Sequence, residues 1–293
     1  MPFATIPSPA SGEFDLPGPL PAVHAYGLTL LVAIVAAILL TRWRWGRRRE
    51  DTDLILRVAV WGVAAGIVGA RLYHVVTSWD DVPDPKWRGV LEVWEGGLGI
   101  WGGILFGVLA GAIVIKRSGG SVLRAMDAVA PGLLLAQAVG RVGNWWNQEL
   151  YGRPTDLPWA LEIDDAHNQD YLSGTTFHPT FAYEALWNLA GVGVLLLIDR
   201  RRRLKPPALF SLYVAWYTFG RFWEELLRID PSHEYLGLRL NAYLSLVLFV
   251  AAIATFVWAR RRTDVGPRRR RGGVAPPPTK KMAIPKGRIR QGR

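Results

Sequence analysis

Apolar residues along this chain are gathered into long blocks that are separated by short polar stretches. Each block runs for about 20 residues, the length at which a helix crosses a hydrocarbon core about 30 Å thick. The pattern predicts an all-α, polytopic membrane protein with seven transmembrane helices. The predicted spans are His24–Thr41, Leu54–Val76, Gly96–Ile115, Arg124–Val142, Phe181–Ile198, Ala208–Leu227 and Leu240–Ala259.

The basic residues lie mostly on one side of these spans. Of the 293 residues, 35 are Lys or Arg, and the formal net charge is +11. Most of them fall in the connections Arg42–Arg49, Lys116–Arg124 and Arg200–Lys205 and in the stretch from Arg260 onward. Because Lys and Arg accumulate in cytoplasmic loops, we predict that the N-terminus is outside and the C-terminus is cytoplasmic.

Composition divides the chain into two parts. Residues 1–259 are predicted to form an integral membrane domain, and residues 260–293 a disordered tail of Arg, Lys, Gly and Pro. The tail is expected to contact anionic lipid; nucleic-acid binding is the less favoured alternative, and we expect no nucleic acid as a partner. The first 21 residues hold no Lys or Arg, which argues against a cleavable signal peptide. Without Cys, the chain has no thiol for catalysis.

Polar side chains inside the predicted spans are concentrated in the half that faces outward. An arginine within a span costs on the order of 3 kcal/mol, so it usually has a partner or faces a cavity. A guanidinium binds phosphate through a bidentate fork, so arginines at this depth indicate a site for an anionic lipid. The residues gathered there include Tyr26, Arg71, Tyr73, Arg141, Asn144, His178, Tyr183, Glu184, Tyr217 and Arg221.

Helical spacing predicts two polar faces. Arg141, Asn144 and Gln148 follow i, i+3 and i+7, which places them on one side of a helix. A second stripe consists of Tyr217, Arg221, Glu224 and Arg228.

The second stripe has two interpretations. It forms a structural ladder of i, i+4 ion pairs, Arg221–Glu225 and Glu224–Arg228, or Arg221 faces Arg141 and both bind one phosphate. We favour the second interpretation for Arg221, because it lies deeper than the other charged residues of the stripe.

Two further stretches carry the candidate chemistry. Gly140–Pro154 follows an apolar run with a burst of Arg, Asn, Gln and Glu. We interpret it as the wall of a headgroup site; the alternative is that Asn144, Asn147 and Glu149 only cap a helix end. Trp94–Gly107 is rich in Gly, which favours close helix packing or leaves room for a bulky lipid or an extended peptide.

The polar stretch also carries a family resemblance. Gly140–Gly152 resembles the signature G-R-x-G-N-F-x-N-x-E-x-x-G of bacterial prolipoprotein diacylglyceryl transferases, with Trp145 in place of the usual Phe. Three more segments resemble family motifs: His178–Glu184 (H-P-[ST]-x-x-Y-E), Tyr217–Arg228 (Y-x-x-x-R-F-x-x-E-x-x-R) and Ala25–Gly27, with its Tyr-Gly pair.

The resemblance implies an enzyme that transfers the diacylglyceryl group of phosphatidylglycerol to the lipobox cysteine thiol of prolipoproteins. The products would be a thioether and glycerol phosphate, in the first step of lipoprotein maturation. The implied location is the bacterial cytoplasmic membrane, with the active site facing the outer leaflet. No cofactor is implied, and the scattered five His give no metal-ligand cluster.

The resemblance also implies residue roles. Arg141 and Arg221 would stabilise the leaving phosphate, Glu149 or His178 would accept the thiol proton, and Tyr26 would bind the headgroup. These five are the predicted catalytic residues. The predicted substrate-binding residues are Arg141, Asn144, Asn147, Gly152, Tyr217 and Arg71. For Tyr183 and Glu184 we predict a structural role. For His178 the alternative stays open that it only hydrogen-bonds backbone groups at the start of a helix.

One departure from the family pattern affects the expected mechanism. The third span of the family commonly contains His-Gly-Gly, whereas this chain has Trp101-Gly102-Gly103. An indole cannot serve as a base, so either another group takes the proton or that role is dispensable. A lipid transporter, which would have midplane sites and repeated halves, and a non-catalytic receptor for preproteins are the competing classes.

Overall fold

The computed structural model describes residues 5–14, 22–168, 171–202, 204–230 and 234–262. Within these residues the chain is mostly helical. The helices are α1 (Ala25–Arg47), α2 (Thr52–Thr77), α3 (Lys86–Gly89), α4 (Ile100–Arg117), α5 (Val122–Trp146), α6 (Thr180–Arg201), α7 (Ala208–Glu225) and α8 (Leu240–Arg261). Short antiparallel strand pairs join β1 (Glu13–Phe14) to β2 (Val23–His24), β3 (Leu161–Glu162) to β4 (Thr176–Phe177), and β5 (Glu234–Tyr235) to β6 (Leu238–Arg239).

Six of the helices in the described part are long and apolar enough to cross a membrane: α1, α2, α4, α5, α6 and α8. The prediction of an all-α polytopic membrane protein is thus confirmed. The remaining long helix, α7, has 18 residues and carries Arg221, Glu224 and Glu225 near its end. Because α7 is only 18 residues long, it has no 18-residue stretch that leaves these three charges out, as the longer helices have. The seventh span stays a prediction.

The helices form a bundle with two different ends. At one end the connections are short and the adjoining helix ends carry Lys and Arg, and we call it the basic end. Its connections are Arg48–Asp51, Ser118–Ser121 and Arg202–Pro207. At the opposite end, which we call the site end, longer segments carry the strand pairs. Helix α2 packs mainly on α4, α1 on α5, and α7 on α8, while α5 and α7 both contact α6.

Helix α1 runs further than the predicted span, which ended at Thr41. It continues to Arg47, and the Arg44 side chain is buried instead of lying in a loop. Arg44 donates to the carbonyl oxygens of Asp127 and Ala128 and forms a 2.8 Å ion pair with Asp199. These contacts neutralise the charge, so the helix can extend while Arg44 ties α1 to α5 and α6.

The predicted third span begins four residues too early. Gly96 and Gly97 adopt positive φ angles of 86° and 66°, and α4 starts at Ile100. The buried Arg71 guanidinium causes this turn, because it draws in the carbonyl oxygens of Gly96 at 2.7 Å and Gly97 at 3.0 Å. It also binds the carbonyls of Gly89 and Val90. A helix through Gly96 would direct those carbonyls along its own axis instead.

Glycines bring α2 and α4 into backbone contact. A Cβ added at Gly102 would lie 2.1 Å from the carbonyl oxygen of Gly69, and one added at Gly107 would lie 3.1 Å from that of Gly62. Membrane helices approach this closely only through small residues. The glycine-rich stretch therefore serves helix packing at Gly102 and Gly107, as the first of its two interpretations held.

The predicted tail lies outside the described residues from position 263 onward, as does Arg203 in the connection before α7.

A side chain at Gly102 should destabilise the protein. Gly102→Ala places its methyl group against main-chain atoms of α2 that cannot rotate away, so we expect the free energy of unfolding to fall by about 1–3 kcal/mol. The measurement is thermal unfolding in detergent. Gly193→Ala is the matched control, because a Cβ there meets nothing within 4 Å. Equal unfolding midpoints for the two variants would contradict the close packing of α2 on α4.

Candidate active site

Two arginines meet on one carboxylate at the site end of the bundle. Arg141 of α5 donates from Nη2 to Glu184 Oε1 at 2.6 Å. Arg221 of α7 places Nη1 3.5 Å from Glu184 Oε2. Helix α6 supplies Glu184 one turn after its start, so three helices contribute to the contact. The structure thus brings together the two arginines that the sequence suggested would face each other.

Sequence reasoning did not identify the partners of Glu184. A structural role is predicted for it, and in the structure it is buried between Arg141 and Arg221. The available signal was its place in the H-P-T-F-A-Y-E segment together with an unpaired carboxylate inside an apolar helix. A buried carboxylate needs a cationic partner, and two unpaired arginines lay at the same predicted depth.

The ion pairs continue from Arg221 into a closed network. Arg221 contacts Glu224 Oε2 at 3.1 Å and also pairs with Glu225. Glu225 in turn lies 3.2 Å from Arg239 Nε, so α7 is bound to the start of α8. The i, i+4 pair Arg221–Glu225 of the predicted ladder is therefore present. Arg228 approaches Glu225 at 3.9 Å, and it does not pair with Glu224 as the ladder required.

Asp230 closes the far side of this network. It accepts from Arg228 Nε at 2.6 Å and from Arg239 Nη2 at 2.7 Å. Burial alone would raise the pKa of the Asp230 carboxyl, but the two arginine hydrogen bonds outweigh it and lower the pKa. Asp230 therefore stays ionised and holds both arginines in place.

The arginines differ in their access to solvent. The side chains of Arg141 and Arg221 are 17% and 16% exposed, whereas those of Arg228 and Arg239 are 6% and 7% exposed. Arg141 and Arg221 are therefore the less completely covered arginines of the network. A partly exposed pair of guanidiniums suits a ligand with a planar or tetrahedral set of anionic oxygens.

Asn144 connects this pair to a separate carboxylate. Its Oδ1 accepts from Arg141 Nη1 at 3.1 Å, and its Nδ2 donates to Glu149 Oε1 at 2.7 Å. Asn147 approaches the same Glu149 oxygen at 3.4 Å. Glu149 thus contacts neutral amides, whereas Glu184 contacts two guanidiniums.

The chain after α5 has an unusual backbone. Gln148 and Leu150 have positive φ angles of 51° and 59°, a strained conformation for residues other than glycine. Because α5 ends at Trp146, the predicted helical face of Arg141, Asn144 and Gln148 is wrong for Gln148. Its amide instead binds Asp164, with Nε2 to Oδ2 at 2.7 Å. A hydrogen bond with the His167 ring lowers the pKa of that Asp164 carboxyl.

The N-terminal residues 5–14 cover this strained segment. Trp145 donates its indole N–H to the Pro7 carbonyl at 3.1 Å, and Gln148 donates to the Pro9 carbonyl at 3.2 Å. A cavity of about 410 Å³ remains between them. Its lining includes Glu13, His24, Trp146, Asn147, Gln148, Glu149, Asp164 and His167.

Tyr26 packs against α5, the helix of Arg141, and Tyr217 lies on α7, the helix of Arg221. The Tyr26 ring lies against Gly143, where an added Cβ would be 2.8 Å from Cδ2. The second glycine of the signature therefore makes room for the first-helix tyrosine, and Tyr26 keeps 38% exposure. Tyr217 precedes Arg221 by one turn and stacks on Tyr213 with ring centroids 6.5 Å apart.

Gly152 and His178 occupy a junction of main chains beside the site. The Gly152 amide donates to the His178 carbonyl at 3.0 Å, and an added Cβ would lie 2.8 Å from His178 Cβ. The His178 ring is within 3.2 Å of the Tyr183 hydroxyl, which also accepts from Trp159. Its hydrogen bond is therefore not with Arg141, Asn144 or Glu149.

Arg71 and Trp101 lie apart from the arginine pair. The Arg71 guanidinium donates its hydrogen bonds to carbonyl oxygens in the segment before α4. In the structure it therefore stabilises that segment. Trp101, at the position of the family's histidine, is 57% exposed in the first turn of α4.

These features define a multi-pass membrane protein with a partly open arginine pair, an arrangement suited to an anionic headgroup. The family model for prolipoprotein diacylglyceryl transferase matches residues 14–258. Several similar proteins carry the name phosphatidylglycerol–prolipoprotein diacylglyceryl transferase. The one from Frankia alni is 48% identical over 270 residues, which is 90% of this chain and 70% of the relative.

Two more relatives show the same extent of similarity. The protein of Cutibacterium acnes with that name is 46% identical over 265 residues, 89% of each chain. The protein of Streptomyces coelicolor named phosphatidylglycerol–prolipoprotein diacylglyceryl transferase 2 is 47% identical over 265 residues, 89% of this chain and 83% of the relative. The chain belongs to the prolipoprotein diacylglyceryl transferase family.

Proposed function

We propose that this chain is a phosphatidylglycerol–prolipoprotein diacylglyceryl transferase in which Arg141 and Arg221 hold the lipid phosphate together. The observation that carries the assignment of roles is their shared contact with Glu184. Membership of the family supports the reaction, and the names of the relatives state both substrates. The proposed acceptor is the lipobox cysteine of a prolipoprotein, because the names of the relatives include a prolipoprotein and the resemblance implies its cysteine thiol.

The reaction is a substitution at carbon. A cysteine thiolate attacks the glycerol CH₂ that carries the phosphate, a C–S bond forms, and the C–O bond to the phosphate breaks. The electron pair leaves with the oxygen, so glycerol phosphate departs with one more negative charge than the diester had. The thiol proton must go to a base. Both the gain of charge and the loss of the proton require help from the protein.

Arg141 and Arg221 supply the help with charge. Both side chains are partly exposed and contact Glu184, so a phosphate bound at this pair would gain electrostatic stabilisation as its charge rises. Glu184 keeps the two guanidiniums close despite their repulsion. Without a lipid it also limits the cost of two cations in a partly buried site.

Glu149 is the proposed proton acceptor. Asn144 links it to Arg141, so the carboxylate lies beside the phosphate site without being neutralised by a guanidinium. It also lines the 410 Å³ cavity, through which a thiol could reach it. The exposed Trp101 indole cannot take a proton, and His178 is engaged with Tyr183. The proposed base is thus independent of the family's histidine position.

The remaining predicted site residues divide into two groups. We expect Tyr26, Asn144 and Asn147 to hydrogen-bond the lipid headgroup, and Tyr217 to contact it from α7. Gly152, His178 and Arg71 act through the main chain: the first two join the strained segment to α6, and Arg71 shapes the turn before α4.

The proposed setting is the bacterial cytoplasmic membrane, crossed seven times, with the site end in the outer leaflet. Lys and Arg at the basic end support this orientation. The charges of α7 are no obstacle, because Arg221, Glu224 and Glu225 are paired within the bundle. The domain division at residue 259 and contact between the basic tail and anionic lipid belong to the same proposal.

The direct test is to give the purified protein phosphatidylglycerol and a lipobox peptide. A lipidated peptide and an equal amount of glycerol phosphate are expected. Movement of lipid between leaflets without either product would indicate a transporter, and peptide binding without product would indicate a receptor.

The two arginines should act as one unit. Arg221→Ala should lower turnover at least about tenfold with little loss of folded protein, and Arg141→Ala should abolish transfer. Because a lipid that has lost one arginine is already misplaced, the double variant should be barely worse than the poorer single variant. Initial rates at matched amounts of folded enzyme measure this. If the two losses are independent and multiply, Arg221 does not bind the same phosphate as Arg141. Arg141→Lys should recover little activity, since lysine lacks the planar fork of the guanidinium.

Removing Glu149 should make transfer depend on pH. In Glu149→Gln the rate near pH 7 should fall by about 10²-fold or more. Raising the pH toward the free-thiol pKa of about 8.5 should recover part of it, since more thiolate forms without a base. The measurement is kcat between pH 6 and 9, with His178→Gln as the comparison. A loss that is equal at every pH would show that Glu149 is not the base.

The seven-span topology predicts which loops lie outside the membrane, and reporter fusions can measure this. A reporter that is active only outside should be active in the Asp80–Lys86 segment and silent after Arg203 or in the tail. The reason is the odd number of spans, which places the two ends of the chain on opposite sides. An active tail fusion would contradict the seven-span arrangement.

A further inference from the structure

Two tryptophans on adjacent helices bind each other's main chain. Trp187 of α6 donates its indole N–H to the Trp216 carbonyl at 3.0 Å, and Trp216 of α7 donates to the Trp187 carbonyl at the same distance. Their rings stack with centroids 4.4 Å apart and 17° between the planes. The reciprocal pair therefore joins α6 to α7 at two points.

A glycine one turn after each tryptophan permits this approach. In an α-helix the carbonyl of residue i points toward residue i+4, and here those residues are Gly191 and Gly220. A Cβ at Gly191 would lie 2.3 Å from Trp216 Nε1, and a Cβ at Gly220 would lie 2.3 Å from Trp187 Nε1. Because each glycine has no side chain, the carbonyl of the tryptophan four residues before it remains accessible to the indole of the opposite helix. We call Trp187, Gly191, Trp216 and Gly220 the tryptophan clasp.

The clasp lies directly beside the arginine pair. Glu184 precedes Trp187 by three residues on α6, and Arg221 follows Gly220 on α7. The 3.5 Å contact between Arg221 and Glu184 crosses the same interface as the indole hydrogen bonds. A slide of α7 by one residue, about 1.5 Å, would break those bonds and separate Arg221 from Glu184.

The two arginines otherwise belong to different helix pairs. Arg141 belongs to α5 and is bound to α6 through Glu184. Arg221 belongs to α7 and is bound through Glu225 to Arg239, directly before α8. The α6–α7 contact is less extensive than the α5–α6 and α7–α8 contacts on either side of it. Helix α5 also contacts α7 directly, through Asp127 with the Phe210 amide and Gln137 with the Tyr213 hydroxyl. The clasp is therefore the joint between α6 and α7 that lies nearest to Glu184 and Arg221 in the sequence.

We propose that the tryptophan clasp positions Arg221 for the transfer reaction. It touches none of the reacting atoms; it fixes the register of α7 on α6, so that Arg221 meets a phosphate already held by Arg141. This inference rests on the proposed roles of Arg141 and Arg221. Because Arg141 stays in place when the clasp is weakened, turnover should suffer more than lipid binding.

Trp216→Phe tests the clasp with a small change. It keeps an aromatic ring for stacking and removes one N–H donor. We expect kcat to fall about tenfold, since small displacements of a positioning group carry costs of this order, while KM for phosphatidylglycerol stays within about twofold. The control is Trp223→Phe, an exposed tryptophan of the same helix, which should leave both parameters unchanged. Trp187→Phe removes the reciprocal bond and should reproduce the result if Trp216→Phe folds poorly.

Repeating the substitution in an Arg221 variant distinguishes a positioning role of the clasp from a general effect on stability. In Arg221→Lys, where the guanidinium fork is already absent, adding Trp216→Phe should lower kcat by less than about twofold. If the clasp only stabilises the fold, Trp216→Phe will lower kcat by the same factor in Arg221→Lys as in the wild type. That outcome overturns the proposal. So does an unchanged kcat per folded molecule in both Phe variants. An inactive wild-type protein would instead overturn the proposed function itself.

Discussion

The Glu184 carboxylate between Arg141 and Arg221 is the interaction on which the site depends. Two guanidiniums within an apolar bundle repel each other, and neither can remain there without a counter-charge. Glu184 satisfies both from α6, a helix that contacts both α5 and α7. A phosphate in the same region could take over part of this role. The resting protein is therefore already organised around the charge that its proposed substrate would bring.

The rest of the architecture keeps that contact in place. Asn144 extends it to Glu149 at the mouth of the cavity, while Glu225, Arg239 and Asp230 bind the far side of Arg221 to α8. Close glycine contacts bring α2 against α4, and the buried Arg44 ties the opposite end of α1 to α5 and α6. Rigid supports matter here, because electrostatic stabilisation of a leaving phosphate falls quickly when the donors are displaced.

Individual residues show where sequence reasoning reached its limit. The helix containing Arg141 and Asn144 was predictable because apolar blocks and helical spacing are local properties. Gln148 was misplaced, since the helix ends at Trp146 and the following backbone takes positive φ angles that only contacts with distant residues sustain. The start of α4 was misplaced for a similar reason: the Arg71 side chain, from another helix, determines where the Gly96–Gly97 turn forms.

The sequence by itself determined that the chain is a helical membrane protein, which family it belongs to, and which polar residues lie near one end of the bundle. Hydrophobic block length, charge asymmetry and the Gly140–Gly152 signature are enough for that, because each is written in consecutive residues. Only the tertiary structure decided that Glu184 joins the two arginines and that Trp187 and Trp216 hold each other's carbonyls. Those contacts join residues 29 to 43 positions apart on different helices, and the register of one helix on another follows from packing that no local pattern encodes.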